Sequence, residues 1–296
     1  MTFPKITVVT PSYNQGQFLE QTIKSVLEQD YPDLEYIIID GGSTDNSVEI
    51  IKKYEQQLAY WQSRPDNGQS AAINAGFQRA TGEILCWLNS DDQFLPGTLK
   101  IIGQYFCDHP ECEWVSGDVE LRYIAEGNTF ISKAYMNSNW SIVNFWVLGS
   151  GNCFFSPQPS TFWRKTLWTR AGGYVREDKP NSMDYELWLR FCDSAELAII
   201  PQVLSAATMH GACKSMKNNY LQRLETIQSV YEFAGRHGIP LRRRLLLAYE
   251  RRQLTRALYC IRTFAPRGLV SRLFNLLLGP FWLWSVKGNE KMWMTF

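Results

Sequence analysis

Ile84-Leu85-Cys86-Trp87-Leu88-Asn89-Ser90-Asp91-Asp92 is the stretch on which the fold turns. Five apolar residues in an unbroken run read as a strand buried on both faces. The run stops on an amide, a hydroxyl and two adjacent carboxylates. Neighbouring carboxylates repel and are costly beside an apolar strand unless something positive sits with them. Hard oxygen donors of this kind suit Mg²⁺ or Mn²⁺, which take few carboxylates and complete their shells with water and phosphate oxygens. The plain alternative is an Asp-Asp pair in an ordinary turn.

Upstream of this stretch, strand and helix signals alternate. Ile6 to Thr10 is a β-branched run stopped by Pro11. Phe18, Ile23, Val26 and Leu27 recur at helical spacing, and Tyr36 to Ile39 reads as a buried strand. Val48, Ile50, Ile51 and Tyr54 predict a helix entered through Ser43-Thr44-Asp45-Asn46, a cluster of N-capping residue types. Leu58 to Trp61 predicts a third strand and Ala71 to Ala80 a third helix. Strands without alternation, separated by helices, predict an α/β fold with a mostly parallel, Rossmann-like sheet flanked by helices. In such sheets ligands bind at the carboxyl ends of the strands.

Those ends are polar. The first runs into Pro11-Ser12-Tyr13-Asn14 and the second into Asp40-Gly41-Gly42-Ser43-Thr44-Asp45. The third leads to Pro65-Asp66-Asn67-Gly68 and the fourth to Asn89-Ser90-Asp91-Asp92. An edge lined this way suits a ligand with base, ribose and phosphate parts. Asp40 is either an acceptor for a base N–H or ribose hydroxyl, with Gly41-Gly42 admitting close approach, or a cap for the following helix.

Downstream, Glu113 to Pro201 is aromatic-rich, with helices predicted near Arg164–Ala171 and Met183–Cys192. In the second of these, Asp184 and Glu186 stand two apart and do not share a face. Leu187, Trp188 and Phe191 would anchor the helix, leaving one carboxylate for a site; Asp184, nearer the helix start, is the choice. The macrodipole alone would also favour an Asp there. His210 follows an apolar strand-like run and reads as a structural histidine or as a phosphate or metal contact.

From about Lys217 the chain reads as helical, with further helical or apolar stretches at Arg242–Ile261 and Leu269–Trp284. Between Arg236 and Arg272 there are ten Arg and one acid, Glu250. This predicts either a basic, apolar face for an anionic membrane surface, involving 240–296, or an appendage packed on protein. The net charge of +1 predicts no nucleic-acid partner. Seven cysteines without a CxxC pair predict reduced thiols and a cytoplasmic setting, with peripheral contact at the inner face of the cytoplasmic membrane. No secretory signal and no run of about 20 apolar residues is read.

Together these segments resemble glycosyltransferase family 2, whose catalytic domain has the GT-A fold. The resemblance runs from Ile6 to Lys214 through Thr10-Pro-Ser-Tyr-Asn14, Ile39-Asp-Gly-Gly-Ser-Thr-Asp45, Asp66-Asn-Gly68, Ala72-Ile-Asn-Ala-Gly76, Thr81-Gly-Glu83 and Leu88-Asn-Ser-Asp-Asp92. It continues through Gln158-Pro-Ser-Thr-Phe162, Gly172-Gly-Tyr174 and Met183-Asp-Tyr-Glu-Leu187. It implies a catalytic domain over 1–215, with a nucleotide-sugar half to about 117 and an acceptor half from 118, followed by a C-terminal helical appendage over 216–296.

The resemblance also implies roles. Pro11, Tyr13, Asp40, Asp66, Asn67, Asn74 and Asp91 would bind the nucleotide-sugar. Asp92 would hold the divalent ion, Mn²⁺ or Mg²⁺; Asp91 and, from its own position, His210 are candidates for further ligands. Asp184 would be the catalytic base. Gln158, Ser160, Thr161 and Glu186 would lie near the sugar or acceptor. The expected activity is inverting transfer from a nucleotide-diphosphate sugar to a hydroxyl of a glycan or lipid-linked acceptor in surface polysaccharide assembly. Two departures stand out: Asn89 replaces an acid many relatives carry, and Met183 replaces the Glu that commonly precedes the base. A non-catalytic nucleotide-sugar or glycan binder on the same fold is the alternative. A nicotinamide-dependent oxidoreductase would need a glycine-rich first turn, which Pro11 to Gly16 lacks.

Overall fold

A computed structural model of the protein describes residues 2–136, 154–155, 157–214 and 219–237. Strand β1 (Ile6–Ser12) is buried along its whole length. β2 (Leu34–Asp40) and β4 (Ile84–Trp87) flank it in parallel, and β3 (Tyr60–Ser63) lies parallel outside β2. Helices α1 (Gly16–Leu27), α2 (Ser47–Tyr54) and α3 (Gln69–Phe77) connect them. α3 packs directly on β1: a Cβ placed at Gly76 would overlap the Val9 side chain, so only glycine lets the helix come this close.

β1 continues through Pro11 instead of stopping there. Val9 O accepts from Leu88 N, and Ser12 O accepts from Gly41 N. Alternation therefore turns the proline nitrogen toward the β4 side, where β4 has already ended, and no ladder bond is lost.

Beyond β4 the sheet becomes mixed. β10 (Thr161–Arg164) pairs antiparallel with β4 and with β6 (Trp114–Tyr123). β11 (Leu197–Met209) runs parallel to β6 and carries the short β5 (Gln93–Phe94) on its other side. β7 (Asn128–Ser132) hairpins onto β6, while β8 (Tyr135–Met136) and β9 (Phe154–Phe155) form a separate pair. β11 passes Pro201 through a register shift between Ile200 and Val203, which absorbs the missing donor. α4 (Thr98–Asp108), unread in the sequence, buries Leu99, Ile102 and Phe106 at helical spacing.

α5 (Lys165–Arg170) and α6 (Met183–Phe191) match the two helices expected in this half. α7 (Asn219–Arg236) is the described part of the expected C-terminal appendage. It adds Ile227, Val230, Phe233 and Ala234 to the same core as the sheet. No helix among the described residues is long and apolar enough to cross a membrane. The helix expected at Arg242–Ile261, the apolar stretch Leu269–Trp284 and the basic face within 240–296 lie outside the described residues.

Candidate active site

The acidic tip follows β4 at the carboxyl edge of the parallel strands. Asp91 Oδ2 lies 3.0 Å from His210 Nε2, which stands just past the end of β11. Both side chains are mostly covered. Phe18, from α1, packs on the imidazole with ring centroids 4.6 Å apart. Cys213 completes a compact group: one ligand atom each from Asp91, His210 and Cys213 lies within 4.8 Å of the others. Burial pushes the Cys213 thiol up to about 11, and it donates to Thr208 O.

Asp92, expected as the principal metal ligand, lies outside that group. It is buried, and its two oxygens accept from Thr208 N at 3.2 Å and Asn89 Nδ2 at 3.0 Å. Burial, reinforced by the neighbouring Asp91 charge, holds its carboxyl well above the ordinary range. The sequence could not separate the two acids, because adjacent residues at a strand end point in different directions only once the turn is known. Among the described residues, the oxygen–nitrogen pair of Asp91 and His210 fits Mn²⁺ or Mg²⁺. A protonated Cys213 adds no ligand to a hard ion.

Asn89 organises the tip. Its Nδ2 donates to Asp92 Oδ2 and Gln158 Oε1, and its Oδ1 accepts from Gln69 Nε2. Gln158 Nε2 in turn donates to Trp87 O. These are amide-to-acid and amide-to-amide bonds, so an Asp at 89 would lose the donors that Asp92 and Gln158 use. Gln158 therefore stands against the tip.

Ser160 and Thr161, also expected there, are fully buried and hold the sheet together. Ser160 Oγ donates to Asp118 O and meets Ser205 Oγ. Thr161 Oγ1 donates to Pro157 O and meets Ser116 Oγ. Their hydroxyls are committed inside the protein and present no face to a ligand.

Asp184 sits in the first turn of α6 and is partly buried. Burial raises its carboxyl above the ordinary range, opposed by the backbone N–H groups of Tyr185 and Asp184 and by the charge of Lys214. Glu186 faces elsewhere. It is buried and ion-paired with Arg190 at 2.8 Å, and Arg190 also donates to Tyr174 O and Ala171 O. Through Arg190, Glu186 thus pins the Gly172-Gly173 turn.

Two adjacent residues of α3 connect the tip to α6. Gln69 bonds Asn89 at 2.7 Å, and Ser70 Oγ donates to Met183 Sδ at 2.9 Å. Met183 is thus a packing and hydrogen-bonding residue. Behind both elements lies an aromatic stack in which Trp87 of β4 and Trp188 of α6 are parallel, with Trp163 edge-on to each at 5.5 Å.

The expected nucleotide contacts divide. Tyr13 is exposed, Asp66 and Asn67 are exposed, and Pro11 is buried beneath them at the end of β1. Asp66 borders Gly41, where a Cβ would crowd its carboxylate. Asp40 is fully buried and bonds its own loop: Oδ2 accepts from Gly42 N, Ser43 N and Ser63 Oγ, and Oδ1 from Ser43 Oγ. Gly42 has φ +83, which this turn requires. Asn74 pairs both ways with the Val175 backbone and so tethers the 173–177 loop. The groups the sequence missed are Phe18, Gln69, Ser70 and Cys213. Each lacks a charge or motif signal and is recruited by the tertiary fold.

A cavity of about 710 Å³, lined by Lys5, Gly82, Glu83 and Lys165 among others, lies at the amino ends of β1 and β4, away from this chemistry. Its cations are engaged, Lys5 with Glu35 and Lys165 with Ala80 O.

Residues 7–148 match the model of glycosyl transferase family 2. Just under half of the chain is thus a glycosyltransferase family 2 segment. It is 36% identical over 100 residues to a putative teichuronic acid biosynthesis glycosyltransferase, TuaG, of Bacillus subtilis. That match covers 33% of this chain and 40% of the relative. Curated relatives at 41–44% identity are matched over about a third of their own length. Among solved structures, S. aureus TarS 1-349 in complex with UDP-GlcNAc aligns with a TM-score of 0.63 at 17% identity, covering 95% of this chain and 79% of that one. A mannosyltransferase from Pyrobaculum calidifontis, in complex with GDP-Man and Mn²⁺, aligns at 0.55 and 18%, covering 96% and 83%. These likenesses establish the GT-A fold.

Proposed function

We propose that the family 2 domain transfers a sugar from a nucleotide-diphosphate sugar to an acceptor hydroxyl, with inversion at the anomeric carbon. The observation that carries this reading is the shared support of two unlike sites. The Asp91–His210 pair and the Asp184 helix are both tied to the start of α3 and to the Trp87–Trp188 stack. One would handle the donor's diphosphate and the other the acceptor's proton.

In this scheme the acceptor oxygen bonds to the anomeric carbon as the bond from that carbon to the diphosphate breaks. The nucleoside diphosphate leaves with the bonding pair. Asp184 takes the acceptor's hydroxyl proton, and its raised proton affinity suits that role. Asp91 and His210 would hold Mn²⁺ or Mg²⁺, which when bound stabilises charge growing on the leaving diphosphate. Tyr13, Asp66 and Asn67, exposed along the strand ends, would meet the nucleoside. A single displacement of this kind inverts configuration.

The acceptor is a glycan or a lipid-linked glycan in surface polysaccharide assembly. The teichuronic acid assignment in the name of the Bacillus relative supports that class. The basic tail within 240–296 would place the domain peripherally on the inner face of the cytoplasmic membrane.

The test is a panel of UDP-, GDP- and dTDP-sugars, with and without Mn²⁺, read by thermal shift and by release of the nucleoside diphosphate. One donor should raise the melting point and be turned over. A donor that binds without any turnover in the presence of glycan acceptors would instead favour a non-catalytic binder. Binding of no donor would end the proposal.

A further inference from the structure

The group at Asp91 and His210 contains a third side chain with metal-binding chemistry, Cys213. Its position is built by the turn that follows β11. Cys213 N donates to His210 O at 2.9 Å, closing the turn, and His210 N donates to Cys213 Sγ at 3.2 Å. The same residue that supplies the imidazole therefore also points its backbone donor at the sulfur. Phe18 fixes the imidazole from the other side. The carboxylate oxygen, imidazole nitrogen and sulfur lie within 4.8 Å of one another. Around one ion, bonds of about 2.0–2.3 Å would bring such donors to roughly 3.3–3.8 Å, so the side chains need move only about 1 Å.

We propose that Cys213 completes a three-ligand site with Asp91 and His210 for a thiophilic divalent ion, Zn²⁺, at the place where Mn²⁺ or Mg²⁺ would otherwise sit. The inference rests on the metal-centre reading of Asp91 and His210. One oxygen, one nitrogen and one sulfur are a set Zn²⁺ accepts with a fourth position left open, whereas Mg²⁺ has little use for the sulfur. On binding, the Zn–S bond forms, the thiol proton leaves to solvent, and no oxidation state changes. The S–H donor to Thr208 O is given up in the exchange. Zn²⁺ and Mn²⁺ then compete for one place, and the cysteine tilts the competition toward Zn²⁺.

Titration of the full chain with Cd²⁺ tests this, read by the ultraviolet thiolate-to-cadmium charge-transfer absorption, alongside Zn²⁺ competition against Mn²⁺ followed by the electron paramagnetic resonance of free Mn²⁺. The wild-type protein should show a saturable band that Cys213→Ser and Cys213→Ala both lack. Both variants should also bind Zn²⁺ roughly tenfold or more weakly while Mn²⁺ affinity changes little, as expected for a soft ligand on a hard ion. Retained Mn²⁺ binding doubles as proof that the variants fold. An unchanged band and unchanged Zn²⁺ affinity in both variants would overturn the role of Cys213 and leave the Asp91–His210 centre standing. Failure of the wild-type protein to bind either ion would remove that centre itself.

Discussion

Trp87 and Trp188 stack with ring centroids 5.9 Å apart and planes 17° apart. Trp87 ends the strand that delivers Asp91, and Trp188 lies one helical turn after Asp184. Both rings are buried, and their indole N–H groups, like that of Trp163, have no partner among the described residues. Packing therefore holds this junction without help from hydrogen bonds. Trp188→Ala should destabilise the fold by about 3–5 kcal/mol and reduce turnover by loosening the base helix. Trp188→Phe should cost much less, since it keeps an aromatic face and removes a buried unsatisfied donor. Chemical denaturation of the two variants checks the order.

The two acids of the tip should behave differently. Asp92→Asn retains an acceptor for Thr208 N and removes a charge that burial already penalises. It should fold, with the Mn²⁺ response close to normal. Asp91→Asn removes a carboxylate that faces His210 and should weaken Mn²⁺ binding by at least about tenfold. Calorimetric Mn²⁺ titration of both variants distinguishes them, and the reverse ranking would return the metal to Asp92.

Glu225 of α7 reaches the entry to the base helix. Its carboxylate accepts from Asn181 N at 2.8 Å and Asn181 Nδ2 at 2.6 Å, with Ser182 Oγ at 3.4 Å. Two turns further along, Glu232 pairs with Arg176 at 2.6 Å and with the buried Lys179 at 3.3 Å. Glu225→Ala strands the Asn181 donors and should cost about 1–3 kcal/mol. It should lower kcat more than it raises the donor KM, because the lost bonds position Asp184 and not the nucleotide. Glu225→Gln should recover part of both, read from melting curves and initial rates.

Burial raises the Asp184 carboxyl, and the sign of the pH dependence follows. Only the ionised form accepts a proton, so kcat should fall toward acid with an apparent pKa above the ordinary 3.8 of a free aspartate. For stability the direction is opposite. A folded pKa above the unfolded one means the Asp184 contribution is fully present below the unfolded value and is lost as pH rises through the folded one. Asp184→Asn should therefore melt no lower than the wild-type protein at neutral pH. A marked drop in melting temperature would show that the carboxylate is a stabilising partner and not a strained one.

The parallel half of the fold was legible because each buried strand is an unbroken apolar run ending in polar loop residues, from Ile6 to Trp87. Its edges were less so. Pro11 and Pro201 look like strand breakers, yet each falls where the ladder on its nitrogen side is absent or shifted. In the sequence, Asp184 is preferred over Glu186 by its place nearer the helix start; the Arg190 pairing that engages Glu186 emerges only with the fold. Ser160 and Thr161 could not be recognised as sheet-holding residues, because their partners Asp118, Ser205 and Ser116 come from distant strands. Asn74 has the same history: its polar amide reads as a ligand contact until the Val175 loop folds onto it. Cys213 carried no signal until the turn after β11 set it beside His210.

Central to the account is the proton transfer assigned to Asp184, and single-turnover transfer by Asp184→Asn, with donor binding measured on the same preparation, tests it most directly. The account predicts donor affinity within a few-fold of wild type and a transfer rate lower by roughly 10²–10⁴-fold. Transfer at a near-normal rate by that variant would contradict it.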